Sequence, residues 1–290
     1  MSHDKSKKII FCLFLVSFCF SCVNHDEAEW FYGKISFESF SKIENKSEVV
    51  VGIIDSGFDP AFSSYFTDGS LLEGYDFVDN DSDVTSTVNL HGTYMSLLIG
   101  GKEKNGFRGI DDKLKIVPIR AISDDGSTTT DILLKSLSYA KERGCNVINM
   151  SLGSAVKSDS LETMINSFPE DAVFVSSVGD TSRDEFFYPA RFDRVLAVSA
   201  VNESNQDFCF TNVSNTKKCV RCPGVDVTVP TIDLEGKMTT EQVSGSSYAT
   251  AIMSGLIASS MGKNGLNRTA IDSLDIYGEN GFLDCAKLMK

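Results

Sequence analysis

Histidine is nearly missing from this chain. There are three in 290 residues, and two of them, His3 and His25, stand close to the N-terminus, outside any plausible core. Chemistry that needs an imidazole inside a folded domain therefore falls to His91. Positive charge is short as well: 27 Lys and Arg face 40 Asp and Glu, a formal net charge of −13, which becomes −15 when residues 1 to 21 are set aside. Such a surface excludes nucleic acid as a partner and is compatible with a cationic peptide. The apolar stretch Ile9 to Phe20 has twelve residues, short of the roughly 20 that a membrane-spanning helix needs. Five of the eight cysteines, Cys145, Cys209, Cys219, Cys222 and Cys285, lie beyond Cys22; a zinc centre at Cys209, Cys219 and Cys222 would need a further ligand, and the one domain histidine is already committed. Cys219 and Cys222 with Cys209 nearby form a candidate disulfide cluster. Cys145 and Cys285 sit in apolar patterns and read as small buried hydrophobes.

What is there begins with a basic segment (Lys5, Lys7, Lys8), then the apolar stretch, then Ser21-Cys22. That layout is a secretory signal, and a small residue before cysteine resembles a bacterial lipoprotein cleavage site, with Cys22 lipidated. The expectation is an exported protein anchored to the cell-envelope membrane through Cys22. Residues 1–22 are the signal, 23–47 a tether carrying an aromatic anchor at Trp30, Phe31 and Tyr32, and 48–290 one domain without repeats or low-complexity tracts.

Three motifs carry chemistry. VVVGIIDSGFDP is a run of β-branched residues ending in Asp55, and a carboxylate at the C-terminal end of a buried strand is where an open α/β sheet places functional groups. HGTYMSLLIGG reads as a helix opening at His91. In GSSYATAIMSG the apolar Ala249, Ile252, Met253 and Leu256 recur at helical spacing behind Gly245-Ser246-Ser247, so a serine stands at a helix start, among unsatisfied N–H donors. Each alone is ordinary turn or cap chemistry. Together they run Asp, His, Ser, separated by 36 and 156 residues, an order known for one class of serine protease.

With VINMSLGS as a fourth motif in register, the chain resembles the subtilisin-like serine proteases over about residues 48 to 290. The resemblance implies an α/β fold, a mostly parallel sheet with helices on both faces, as the alternating apolar strands and helices also argue. It makes Ser247 the nucleophile, His91 the general base and then acid, and Asp55 the group that fixes the histidine tautomer. It places Gly126 and Ser127 on one edge strand, and Ser151, Leu152 and Gly153 on a second, with the substrate peptide extended between them. GYDFVDNDSD looks like the family's calcium loop, with Asp76, Asp79, Asp81 and Asp83 as ligands; a solvated acidic turn is the plain alternative. Calcium there is structural, and the chemistry needs no cofactor. Where relatives read Gly-Asn and the Asn side chain donates to the oxyanion, this chain reads Gly179-Asp180, as some kexin-like relatives do. No room is left ahead of the domain for the folded pro-domain many relatives carry. The function implied is a monomeric serine endopeptidase acting on peptide or protein, dedicated to one exported peptide or general. The rival is a subtilisin-fold binding lipoprotein, weak or inactive because of Asp180.

Overall fold

A computed structural model describes residues 30–35, 37–273, 281, 283 and 285–288. The signal segment and Cys22 lie outside the described residues. Seven parallel strands make the central sheet: β1 (Val50–Asp55), β2 (Tyr75–Asp76), β3 (Lys115–Arg120), β4 (Val147–Met150), β5 (Val173–Ser177), β6 (Val195–Val201) and β7 (Val220–Pro223), in the order β2-β3-β1-β4-β5-β6-β7. Most are buried along their length, as continuous Val/Ile runs covered on both faces must be. An antiparallel hairpin, β8 (Val227–Ile232) with β9 (Met238–Val243), stands apart from the sheet.

Two short helices, α1 (Trp30–Lys34) and α2 (Phe37–Ser41), precede β1, and four longer ones cover both faces of the sheet. α3 (His91–Gly100) and α6 (Ser246–Asn264) share one core with Val51, Ile53, Val147, Val175 and Val198; α4 (Thr130–Glu142) and α5 (Asp159–Asn166) pack on the other with Ile54, Val117, Ile148 and Phe174. Every residue of α6 from Ser246 to Lys263 is buried except Ser247, because the helix lies between the sheet and α3 and has no solvent side. α4 is capped by Thr129, whose hydroxyl accepts from Ile132 N at 3.2 Å, and Asp131 stands in the first turn rather than at the cap. In the anchor segment Phe31 is 1% exposed within the α3/α6 core, and Tyr32 donates to the carbonyl of Arg108.

The order of strands turns at β1, with β3 on one side and β4 on the other. At such a switch point the loops leaving neighbouring strands part and open a crevice at their C-terminal ends. Asp55 ends β1, and Ser151 follows β4.

Candidate active site

Asp55 is fully buried, and its Oδ1 lies 2.8 Å from His91 Nδ1. The same oxygen accepts from Ser56 N at 2.7 Å. The two residues meet because α3 starts at His91 directly over the turn after β1. Gly92 makes that approach possible: a Cβ there would stand 2.4 Å from the carbonyl oxygen of Gly57 and 3.2 Å from Asp55 Cβ. Ser56 ties the turn to the helix, accepting from Gly92 N at 2.9 Å and donating to Asn89 O at 2.8 Å.

Ser247 stands in the first turn of α6. Asp180 takes the N–H of Ser246, and Gly245 O takes those of Tyr248 and Ala249. The Ser247 N–H is left as the first-turn donor, which a developing oxyanion can use. The Tyr248 ring lies 5.9 Å, centre to centre, from the His91 ring. Ser247 Oγ donates to Ser151 O at 3.2 Å, and Ser151 Oγ donates back to Ser247 O at 3.0 Å. Behind this pair runs a buried chain: Asn149 Nδ2 donates to Ser151 Oγ at 3.1 Å, and Ser254 Oγ to Asn149 Oδ1 at 2.9 Å. Asn149 and Ser254 are 0% exposed. They were not singled out from the sequence, although a polar residue inside an apolar strand and another inside an apolar helix were the available signals.

Asp180 faces Ser246. Its Oδ2 accepts from Ser246 N at 2.8 Å and Ser246 Oγ at 2.9 Å, while its Oδ1 is buried with no hydrogen-bond partner. Burial raises its pKa above the ordinary carboxylate value, opposed by the two Ser246 bonds and the nearby His91. A proton taken up here falls on the oxygen without a partner, turning a repelling acceptor into a donor. Asn212, 1% exposed, holds this loop: its Oδ1 accepts from Thr181 N at 3.1 Å and Arg183 N at 3.0 Å, and its Nδ2 donates to Val178 O at 3.1 Å.

The two expected substrate edges differ. Ser151, Leu152 and Gly153 line a cavity beside Ser247 and Asp180. Gly126 and Ser127 form a tight turn instead of a strand: Gly126 has φ +79°, its N–H donates to Ser123 O, and Ser127 N and O are engaged by Asp125 and Ser123. The Asp124-Asp125-Gly126 sequence favours that turn over an extended edge.

Subtilases generally bind structural calcium and need no cofactor for catalysis. The acidic loop of this chain does not fit a calcium ion, because it already holds a cation. The Arg120 guanidinium, 6% exposed, lies 2.5 Å from Asp76 Oδ2, 2.6 Å from Asp79 Oδ2 and 3.4 Å from Asp124 Oδ1. Asp76 Oδ1 is spent on the N–H groups of Val78 and Asp79, and Asp81 and Asp83 cap the turns that follow. Among the described residues no group of three or more His, Cys, Asp or Glu converges to hold a metal. The cysteine cluster is likewise corrected. Cys222 lies in the α3/α6 core, whereas Cys219 packs beside Val178 and donates to Ser199 Oγ at 3.4 Å. Residues three apart at a strand point to opposite faces, so no disulfide joins them. Cys209 is exposed, and Cys145 is buried, which pushes its thiol up to about 12. The Cys285 side chain lies outside the description.

The buried Asp55–His91 pair at a sheet switch point, with the ring of Tyr248, next in the chain to Ser247, 5.9 Å from the His91 ring, supplies the residue types of a Ser-His-Asp serine hydrolase. The chain belongs to the Subtilase family, whose model matches residues 46–270, and so to the subtilisin-like serine endopeptidases. It is 31% identical over 231 residues to the thermophilic serine proteinase of Bacillus sp. (strain AK1), covering 77% of this chain and 55% of that protein, so it spans about half of that relative's length. It is 28% identical over 239 residues to thermitase of Thermoactinomyces vulgaris, covering 80% and 82%. Its fold matches the crystal structure of MycP1 from Mycobacterium smegmatis with a TM-score of 0.77 at 20% identity, over 99% of this chain and 89% of that one. Among the described residues no helix is long and apolar enough to cross a membrane.

Proposed function

We propose that this chain is an active, exported serine endopeptidase, monomeric and tethered to the cell envelope by a lipid on Cys22, and dedicated to processing an exported peptide. The observation that carries the catalytic reading is the 2.8 Å contact between Asp55 Oδ1 and His91 Nδ1. It fixes the tautomer with Nδ1 protonated, leaving Nε2 as the base. Ser247 turns from Ser151 O to His91, and its Oγ attacks the peptide carbonyl as Nε2 takes the hydroxyl proton. The C–N bond breaks, the leaving amine takes that proton, and water activated by the same imidazole hydrolyses the acyl-ester. The Ser247 N–H supplies one oxyanion donor. The lipid-anchor reading rests on the Lys-rich segment, the twelve-residue apolar stretch and Ser21-Cys22.

A second reading, a binding protein of this fold without turnover, is favoured by Asp180, which presents acceptor oxygens where a donor is wanted. A fluorophosphonate probe separates the two. Labelling of purified wild type that is lost in Ser247→Ala supports the enzyme, and a folded wild type that takes no label rejects it. For the anchor, Cys22→Ala is expected to move the protein out of the membrane fraction; complete retention with a cleaved signal would reject it.

A further inference from the structure

The cavity beside the nucleophile is nearly full. It is bounded by Ser151 to Gly153, by Gly179 to Thr181 and by Ser247, so it is the space next to the nucleophile that a side chain on the acyl side of a scissile bond would occupy in the peptide-binding reading above. Its volume is about 30 Å³, room for roughly two water-sized spheres at about 10–15 Å³ each. The occupant of the rest is Phe187. Its ring lies between two glycines: a Cβ on Gly153 would stand 2.7 Å from Phe187 Cβ, and one on Gly179 would stand 2.7 Å from Phe187 Cδ2. The ring is 8% exposed and has the Arg183 guanidinium on it at 5.7 Å. Its main chain is fixed as well, with Phe187 N donating to Val178 O at 3.0 Å and Phe187 O accepting from Arg191 N at 3.1 Å. A side chain packed against two glycines and under Arg183, with its backbone fixed, does not swing aside for a large side chain without disturbing the loop that carries Asp180.

We infer that Phe187 sets the specificity of this enzyme, restricting it to peptides with Gly, Ala or Ser on the acyl side of the cleaved bond. The inference rests on the endopeptidase reading above. A methyl or hydroxymethyl group fits the remaining space, and an isobutyl or benzyl group overlaps the Phe187 ring.

The test is the rate at which wild type is labelled by peptidyl diphenyl phosphonates that differ only at this residue, Ala, Leu or Phe, beside a simple fluorophosphonate that needs no such side chain. The Ala probe is expected to label on the order of 100-fold faster than the Phe probe, the discrimination a tight apolar pocket gives. Phe187→Ala is expected to narrow the ratio to under about tenfold by speeding the Phe probe, and Phe187→Leu, which keeps the site filled, to give an intermediate ratio should the alanine variant not fold. Leu or Phe probes that label wild type as fast as the Ala probe overturn the inference while leaving the endopeptidase standing. No peptidyl labelling where the fluorophosphonate does label also overturns it. Failure of the fluorophosphonate itself removes the endopeptidase reading, and this inference with it.

Discussion

Asp180 is where one atom decides most. Its Oδ2 is committed to Ser246 and its Oδ1 has no partner, so an asparagine fits with its carbonyl in place of Oδ2 and its amide in place of Oδ1. Asp180→Asn thereby adds an oxyanion donor and removes a buried charge. Losing one such donor costs on the order of 10²- to 10³-fold in turnover, a size measured for a subtilisin, so Asp180→Asn is expected to raise kcat at least about tenfold near neutral pH. Because the folded-state pKa of Asp180 is raised, the native state holds more proton than the unfolded state between the ordinary carboxylate value and that raised value. Stability from this group is therefore present at low pH and lost as pH rises through the folded pKa. Thermal melts should show Asp180→Asn more stable than wild type at neutral pH, with the difference shrinking on acidification. Wild-type activity should gain on the variant over the same range. Equal rates and identical pH profiles would take Asp180 out of the oxyanion site. The triad and the departure at Asp180 were both legible in the sequence because each sits in a motif of fixed local shape. Phe187, Asn149, Ser254 and Asn212 were not, since each acts on the site through contacts far along the chain.

At the level of elements, the sheet edge explains why the calcium expectation failed. Arg120 ends β3 in register with Asp76 on β2 and with Asp55 on β1, so the strand pairing itself carries a guanidinium into the acidic loop. Crowded carboxylates in the sequence correctly signalled a cation nearby, but strand register, which the sequence does not display, supplied it from the protein. Excess EGTA is expected to leave the wild-type melting midpoint unchanged. Arg120→Gln strands Asp76, 1% exposed, and is expected to cost about 3–5 kcal/mol in denaturant unfolding, the range for breaking a buried ion pair from one side. Added calcium should recover part of that loss in the variant and do nothing for wild type. A wild type destabilised by EGTA would restore the calcium site. The strands are readable as continuous apolar runs and Asp124 to Thr130 as the loop after β3, whereas the substrate edge at Gly126 and Ser127 comes from the resemblance alone.

For the molecule as a whole, the net charge of −13 bears on which peptides arrive quickly. Association with a cationic substrate is steered at low salt and screened as the Debye length falls from about 30 Å at 0.01 M to about 8 Å at 0.15 M. The specificity constant for a lysine-rich peptide should therefore fall several-fold over that range while that for a neutral peptide of the same cleavage sequence holds. Equal salt responses would mean that the acidic surface serves solvation alone.

The burial of α6 between the sheet and α3 also governs how the protein comes into being. The first strand of the sheet it packs on, β1, is made of residues 50 to 55, yet the helix is made of residues 246 to 264. Until synthesis reaches the helix, Val51, Ile53 and Val147 have only α3 to cover them on that face, and the half-built sheet is an intermediate with exposed apolar surface. Contacts this distant in sequence fold slowly. They also mean that no nascent fragment ending before α6 can hold Asp55, His91 and Ser247 together, so the maker of this protease is not exposed to its activity until α6 has docked.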